Sequence, residues 1–327
     1  MKRIDWIDVA KGYGIIGVII GHITTPVLTV WIYTFHIPLF FFLSGYLFHP
    51  KGSFLDFCKR KVRSLLVPYL FLSIPVIINE YWFNYGNNGS FTDFVNEFLK
   101  AIIQVRYTPL WFIASLFSVN IIFYYVVKYI RRGWIRALCV LLSLILSFSY
   151  WHLGGAPLPW NFDVTLFILP FMLLAYAINS SLKLKYLVKN RPLLFLVVFL
   201  VGNTLLGGVN YYLIGKKVDL YYGDVDYLLL SCPAALFGIF FIIMLSRLNI
   251  LSIFRYLGRN SLLIFAWHLI VYKWLGILYD RLGLFQTPLS TGMVLVRDLI
   301  SLILILIVLI PINEVISNSK IKFVLGK

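Results

Sequence analysis

Ten apolar runs dominate this chain, at 9–29, 33–50, 65–84, 110–129, 135–152, 162–180, 192–213, 226–246, 257–278 and 293–313. Each is about the length, roughly 20 residues, that a helix needs to cross a bilayer. In lipid every backbone N–H and C=O must find a partner inside the segment, so each run is expected as a helix. Hydrophobic residues make up 61% of the 327 and charged ones 13%, with a mean hydropathy of +0.88. Soluble domains sit near 45–50% apolar and 25% charged. The expectation is an all-α integral membrane protein, a bundle of about ten transmembrane helices. Residues 1–327 are expected to form one multi-pass unit without a separate soluble domain, and the first run reads as an uncleaved signal anchor. No period of 20–50 residues marks a repeat architecture.

The net charge of +16 raises the question of nucleic acid. The basic residues, however, sit in short loops between apolar runs, where orientation in the bilayer explains them. With the N-terminus inside, 22 of the 29 Lys and Arg fall on the cytoplasmic side, at the start and in 51–63, 128–136, 183–191, 247–259 and 320–327. Both termini are therefore expected in the cytoplasm. Cys58, Cys139 and Cys232 are far apart and lack metal-ligand spacing, so neither a metal site nor a disulfide framework is expected.

Ionisable groups inside apolar runs are costly and are read as functional by default. Lys11 and His22 are separated by eleven positions, which at about 100° per residue is three turns plus about 20°. Both lie on one helix face, roughly 16 Å apart along the axis, and Asp8 stands three residues before Lys11, within pairing reach. His22 follows Gly17-x-x-x-Gly21, a spacing that lets helices approach closely. It reads either as a packing histidine or as a general base or relay. Lys11 either snorkels to the inner interface or holds an anionic group. His36 opens the second run just before Pro38, which suits a first helical turn. Ser44-Gly45 reads as a packing notch or as part of a site. Trp111-Phe112 reads first as an interface anchor, and Asn260-Ser261 as a helix start. His268, midway along the ninth run, is harder to explain as structure. Asp163, His152, Glu80 and Arg106 are weaker candidates at the outer rim. Two outer segments, 85–109 and 214–226, mix Tyr with Asn, Lys and Asp. They suit sugar binding by stacking and hydrogen bonding, or simply an interfacial belt.

Taken in order, these residues match a known pattern. Asp8-x-x-Lys11-Gly12, Gly21-His22, Phe35-His36-x-Pro38-Leu39-Phe40-Phe41-Phe42-x-Ser44-Gly45, Leu66-x-Pro68-Tyr69, Leu110-Trp111-Phe112 and Leu257-Gly258-Arg259-Asn260-Ser261-Leu262 with His268 resemble the membrane acyltransferase-3 superfamily. The Arg-Ile-Asp-x-x-Asp stretch at 3–8 looks most like its fucose 4-O-acetylase-like branch. The family signature is a basic residue, ten positions and a histidine. Arginine is usual there; Lys11 keeps the charge without arginine's bidentate fork.

The resemblance implies an O-acetyltransferase of a plasma membrane, most simply the bacterial inner membrane. It would move an acetyl group from cytoplasmic acetyl-CoA to a sugar hydroxyl of a surface glycan or its lipid-linked precursor. His22, Lys11, His36 and Asp8 would be catalytic. His268, Trp111, Asn260, Ser261, Ser44 and Tyr69 would serve substrate binding, and Arg60, Lys61 and Arg63 the phosphates of the donor. Membrane lipid, acyl-CoA and the glycan acceptor are the implied partners, with a homodimer compatible and nucleic acid and metal not expected. The competing reading is a transporter or flippase for a glycan or lipid intermediate, which would leave the acyl group on CoA.

Overall fold

The structure is a computed structural model. It describes residues 4–24, 26–107, 109–180, 192–225, 227–248, 251–285 and 289–326. Arg3, Asp226 and the basic cluster of 183–191 lie outside the described residues. Among the described residues, ten helical segments are long and apolar enough to cross a membrane, and the only β pairing is a bridge between Asp219 and Asp224. The expected run boundaries fall within a few residues of the observed segments, except where the chain breaks inside a span.

Helix α1 (Asp5–Ile23) is the central rod. Its buried residues, from Ile7 and Val9 through Gly12, Ile15 and Val18 to Ile23, go almost all the way round it. A helix apolar on every side belongs in the middle of a bundle. The second span is two helices, α2 (Pro26–Tyr33) and α3 (His36–Tyr46), interrupted at Thr34-Phe35. The break places His36 at the start of a new helix within the membrane, where the sequence suggested one run. Next come α4 (Phe54–Lys61) and α5 (Val67–Tyr85), joined by a π-helical turn at Val62–Leu66.

Helix α6 (Phe91–Ile103) occupies the first long outer segment. Ser90 and Asp93 form a capping box at its start, and these bonds hold the Asp93 carboxyl below the usual carboxylate range. Phe91, Phe94, Phe98 and Ile102 expose an apolar face, the pattern of a helix lying in the headgroup region. The remaining helices are α7 (Trp111–Tyr129), α8 (Gly133–His152), α9 (Phe162–Ser180), α10 (Pro192–Ile214), α11 (Leu228–Leu248), α12 (Ser252–Arg259), α13 (Ser261–Arg281) and α14 (Thr291–Ser317). Few residues of α8 and α10 are buried, so these two form the periphery.

Two glycines fix how α1 meets α12. A Cβ on Gly12 would stand 2.0 Å from the Phe254 carbonyl oxygen, and one on Gly258 would stand 1.7 Å from the Asp8 carbonyl oxygen. The two backbones touch, and nothing larger than hydrogen fits between them. Arg259 then reaches across to the acids of α1. Its Nε lies 2.9 Å from Asp8 and its Nη2 3.3 Å from Asp5, while Arg255 stands 3.7 Å from Asp5. Further along α1, Gly17 and Gly21 face Ile32, Tyr33 and His36. The small-residue spacing therefore makes room for the interrupted span. Replacing Gly258 with Ala should force α12 off α1 and cost at least about 1–3 kcal/mol, as overpacking does; a lowered thermal midpoint in detergent is the measurement.

Candidate active site

Lys11 and His22 lie at opposite ends of α1, and each opens onto a different cavity. The first, of about 730 Å³, lies toward the start of α1 and is lined by Lys11, Lys51, Arg60, Lys61, His49 and Ser64 at its polar part. Its deep wall is apolar, built by Phe40, Phe48, Phe57, Leu65, Phe112, Leu116, Leu262 and Phe265. No carboxylate lines it among the described residues. The π-helical turn after α4 carries Ser64 and Leu65 into this wall; such turns are frequent at functional sites. A cationic rim over an apolar depth suits a ligand with phosphates at one end and a small acyl group at the other. Its volume lies in the range of small-molecule sites. The residues present therefore fit an acyl-CoA.

The second cavity, of about 240 Å³, is lined by His22, Tyr33, His36, Ile37, Pro109, Trp111, Lys217, Asp219, Leu220, Tyr221, Tyr222 and Phe265. Its outer wall is the 215–225 segment. Asp219 and Asp224 pair there, the Asp219 carboxylate accepts from the Tyr221 amide at 3.0 Å, and the Tyr221 hydroxyl donates to the Arg106 carbonyl. Lys217 Nζ stands 3.4 Å from the centre of the Tyr33 ring and 3.4 Å from Asp219, a cation held between an aromatic face and a carboxylate. Burial pushes the Asp219 carboxyl up, a shift that Lys217 only partly offsets. Burial likewise pushes the Tyr221 hydroxyl up to about 12.

Three imidazoles gather at this end of α1. The rings of His22 and His268 meet edge to face with centroids 5.0 Å apart, and Tyr33 lies between His22 (6.2 Å) and His36 (4.7 Å). Each Nδ1 faces a backbone carbonyl three or four residues earlier: His22 to Val18 at 2.8 Å and His268 to Phe265 at 2.7 Å within their own helices, and His36, across the break, to Ile32 of α2 at 2.9 Å. A carbonyl oxygen only accepts, so in each ring Nδ1 carries the proton and Nε2 keeps the lone pair. His268 is fully buried and its Nε2 has no hydrogen-bond partner. An orphaned acceptor beside His22 is costly in an apolar bundle, and it marks the place as chemically unfinished.

Behind the cavity, Arg106 forms a buried ion pair with Asp163, which also accepts from Trp151 Nε1 at 2.9 Å. Asn161 accepts from the Arg106 amide and guanidinium, both at 3.2 Å, and donates to the Trp111 carbonyl at 3.2 Å. Gln104, Arg106, Trp160 and Asn161 all have φ between 52° and 55°, a left-handed backbone that costs non-glycine residues energy. This strained, ion-paired segment positions Trp111, and through Tyr221 it anchors the outer wall.

The residues singled out from sequence separate into three groups. His22, His36 and Trp111 line the outer cavity with His268 beside them, whereas Lys11, Ser44, Ser261, Arg60 and Lys61 line the inner one. The two serines thus stand with the basic residues and not with the histidines. Asp8, Tyr69, Asn260 and Arg63 line neither cavity. Asp8 takes the Arg259 guanidinium that the α1–α12 contact brings to it. The Tyr69 hydroxyl is held between the Ala101 carbonyl and the Gln104 amide. Asn260 is buried and donates to the Tyr256 carbonyl at 3.1 Å, and Arg63 is exposed. Of the weaker candidates, Glu80 pairs with Lys273 at 2.6 Å, and His152 stacks on Phe148. Sequence reasoning missed Tyr33 and left Lys217, Asp219, Tyr221 and Tyr222 as a belt or sugar-binding segment without assigning them to the site.

The acyltransferase-3 family profile, described as an acyltransferase domain, matches residues 4–314. The chain belongs to this family of membrane acyltransferases. No curated protein and no solved structure matches it. Replacing Asp163 with Ala should strand the buried Arg106 charge and cost about 3–5 kcal/mol; thermal unfolding of the purified protein reads this directly.

Proposed function

We propose that this acyltransferase moves an acetyl group from acetyl-CoA, bound in the basic cavity at the cytoplasmic face, to a sugar hydroxyl in the opposite cavity. The acceptor is a surface glycan or its lipid-linked precursor at the outer face of the plasma membrane, as for fucose 4-O-acetylase-like enzymes. The observation that carries this reading is the pair of cavities at the two ends of α1, one cationic with an apolar depth, the other aromatic and lined by histidine. A donor with phosphates and an acceptor with hydroxyls require two such environments.

Lys11, Arg60 and Lys61 hold the phosphates of the donor, and the apolar wall receives the acyl end. Tyr33, Trp111, Tyr221 and Tyr222 offer rings for a sugar face, and Asp219 accepts from its hydroxyls. His22, with Nδ1–H fixed to Val18, uses Nε2 to take the proton of the attacking hydroxyl. The hydroxyl oxygen bonds to the thioester carbon, the carbon–sulfur bond breaks, and the proton goes on to the departing CoA thiolate. His36 orients the acceptor, and His268 steadies His22 and the proton it carries.

In vesicles holding purified protein, radiolabel from acetyl-CoA should appear on the glycan; label remaining on CoA would support a flippase instead. Substituting His22 with Ala should lower transfer by about 10²–10⁴-fold at normal protein level, and unimpaired transfer would remove His22 from the chemistry. Lys11→Gln should raise KM for acetyl-CoA about tenfold, the worth of one charge-assisted hydrogen bond, whereas Lys11→Arg should not.

A further inference from the structure

The two cavities have one wall in common. Among the described residues only Phe265 lines both. Its side of α13 closes the inner cavity together with Phe112, whose ring centroid is 5.0 Å away and which packs in turn on Phe40 and Phe41 at 5.7 and 4.9 Å. On the outer side the Phe265 ring stands 6.1 Å from that of His268. Phe265 is buried, 5% exposed. Its backbone carbonyl accepts the Nδ1–H of His268, so the residue that lines both chambers also fixes a ring beside the outer one.

We propose that the Phe265 side chain is the partition between donor and acceptor chambers and the specificity-determining barrier of the transfer step. This rests on the acyl-transfer reading above. In the observed position the ring keeps water of the outer chamber away from a thioester in the inner one. A rotation about its side-chain bonds, with no movement of the helix, joins the chambers and lets the acyl carbon meet an acceptor hydroxyl. A phenyl ring is suited to this: it is rigid, apolar, and turns on only two torsions. Without the ring, water replaces the sugar hydroxyl as nucleophile. Water oxygen then bonds to the acyl carbon, the carbon–sulfur bond breaks, and acetate and CoA thiol are released.

Two measurements test the partition, and one of them does not depend on activity. In a background with Cys58, Cys139 and Cys232 changed to Ser, Ser44→Cys places a thiol in the inner cavity. A small, charged, membrane-impermeant thiol reagent is then applied to the face that carries the 215–225 segment. The expected result is no labelling with Phe265 and labelling with Phe265→Ala. Labelling in both, or in neither, overturns the proposal. Labelling of the same thiol from the opposite face reports that the bundle is intact, and Phe265→Leu replaces the alanine variant if that control is lost. The second measurement is release of CoA thiol from acetyl-CoA without acceptor, which should rise on the order of tenfold in Phe265→Ala as water gains access. Phe265→Trp, whose larger ring cannot turn aside in the same space, should lower kcat for transfer to acceptor about tenfold with acetyl-CoA still bound. Unchanged rates in both variants, with acetyl-CoA still bound, overturn the partition alone. Failure of the wild-type protein to bind acetyl-CoA would instead overturn the donor reading, and the labelling experiment would still decide the partition.

Discussion

The site depends on a hydrogen bond that each of three imidazoles makes to a backbone carbonyl of its own span. His22, His36 and His268 give Nδ1–H to carbonyls three or four residues earlier. An apolar bundle tolerates these rings because half of each ring's polarity is satisfied locally, by a carbonyl of the same span. The same bond settles the tautomer and leaves one lone pair per ring for whatever enters the cavity. A charge-bearing side chain would need a counter-ion at this depth. Neutral imidazole needs only a carbonyl, which its own span provides.

That local solution places a demand on packing, met by the absence of side chains. Gly12 and Gly258 let α12 touch α1, so Arg259 can bind the acids at the start of the rod. Gly17 and Gly21 give room to the interrupted second span, so His36 begins a helix beside His22. At the far end the order is reversed. There a strained backbone at Gln104, Arg106, Trp160 and Asn161 is held by the buried Arg106–Asp163 pair, which keeps Trp111 and the 215–225 segment in place. Close contact of bare backbones sets one end of the rod, and buried charge the other.

Much of this was legible before any coordinates. Run length and the alternation of basic loops gave ten spans, because a bilayer has one thickness and backbone polar groups have no water there. The period of a helix gave the common face of Lys11 and His22, because eleven residues is close to three whole turns. The pairing of Asp8 with Arg259 was not legible, because Arg259, some 250 positions away, arrives through a contact that only glycine permits. The places of Ser44 and Ser261 were hidden for a similar reason, since motif order says nothing about which end of a bundle a side chain faces.

Sequence by itself determined the membrane class, the number of crossings, and the line of ionisable groups along the first helix. These follow from local rules: hydrophobic length, loop charge and helical period. Tertiary structure alone decided that this line joins two separate chambers, and that Tyr33, Lys217 and Asp219 complete one of them. It alone decided that Phe265 lines both. Cavity walls are assembled from residues distant along the chain, and no periodicity links positions 33, 217 and 265. What brings them together is the packing of whole helices around a rod thinned by glycine.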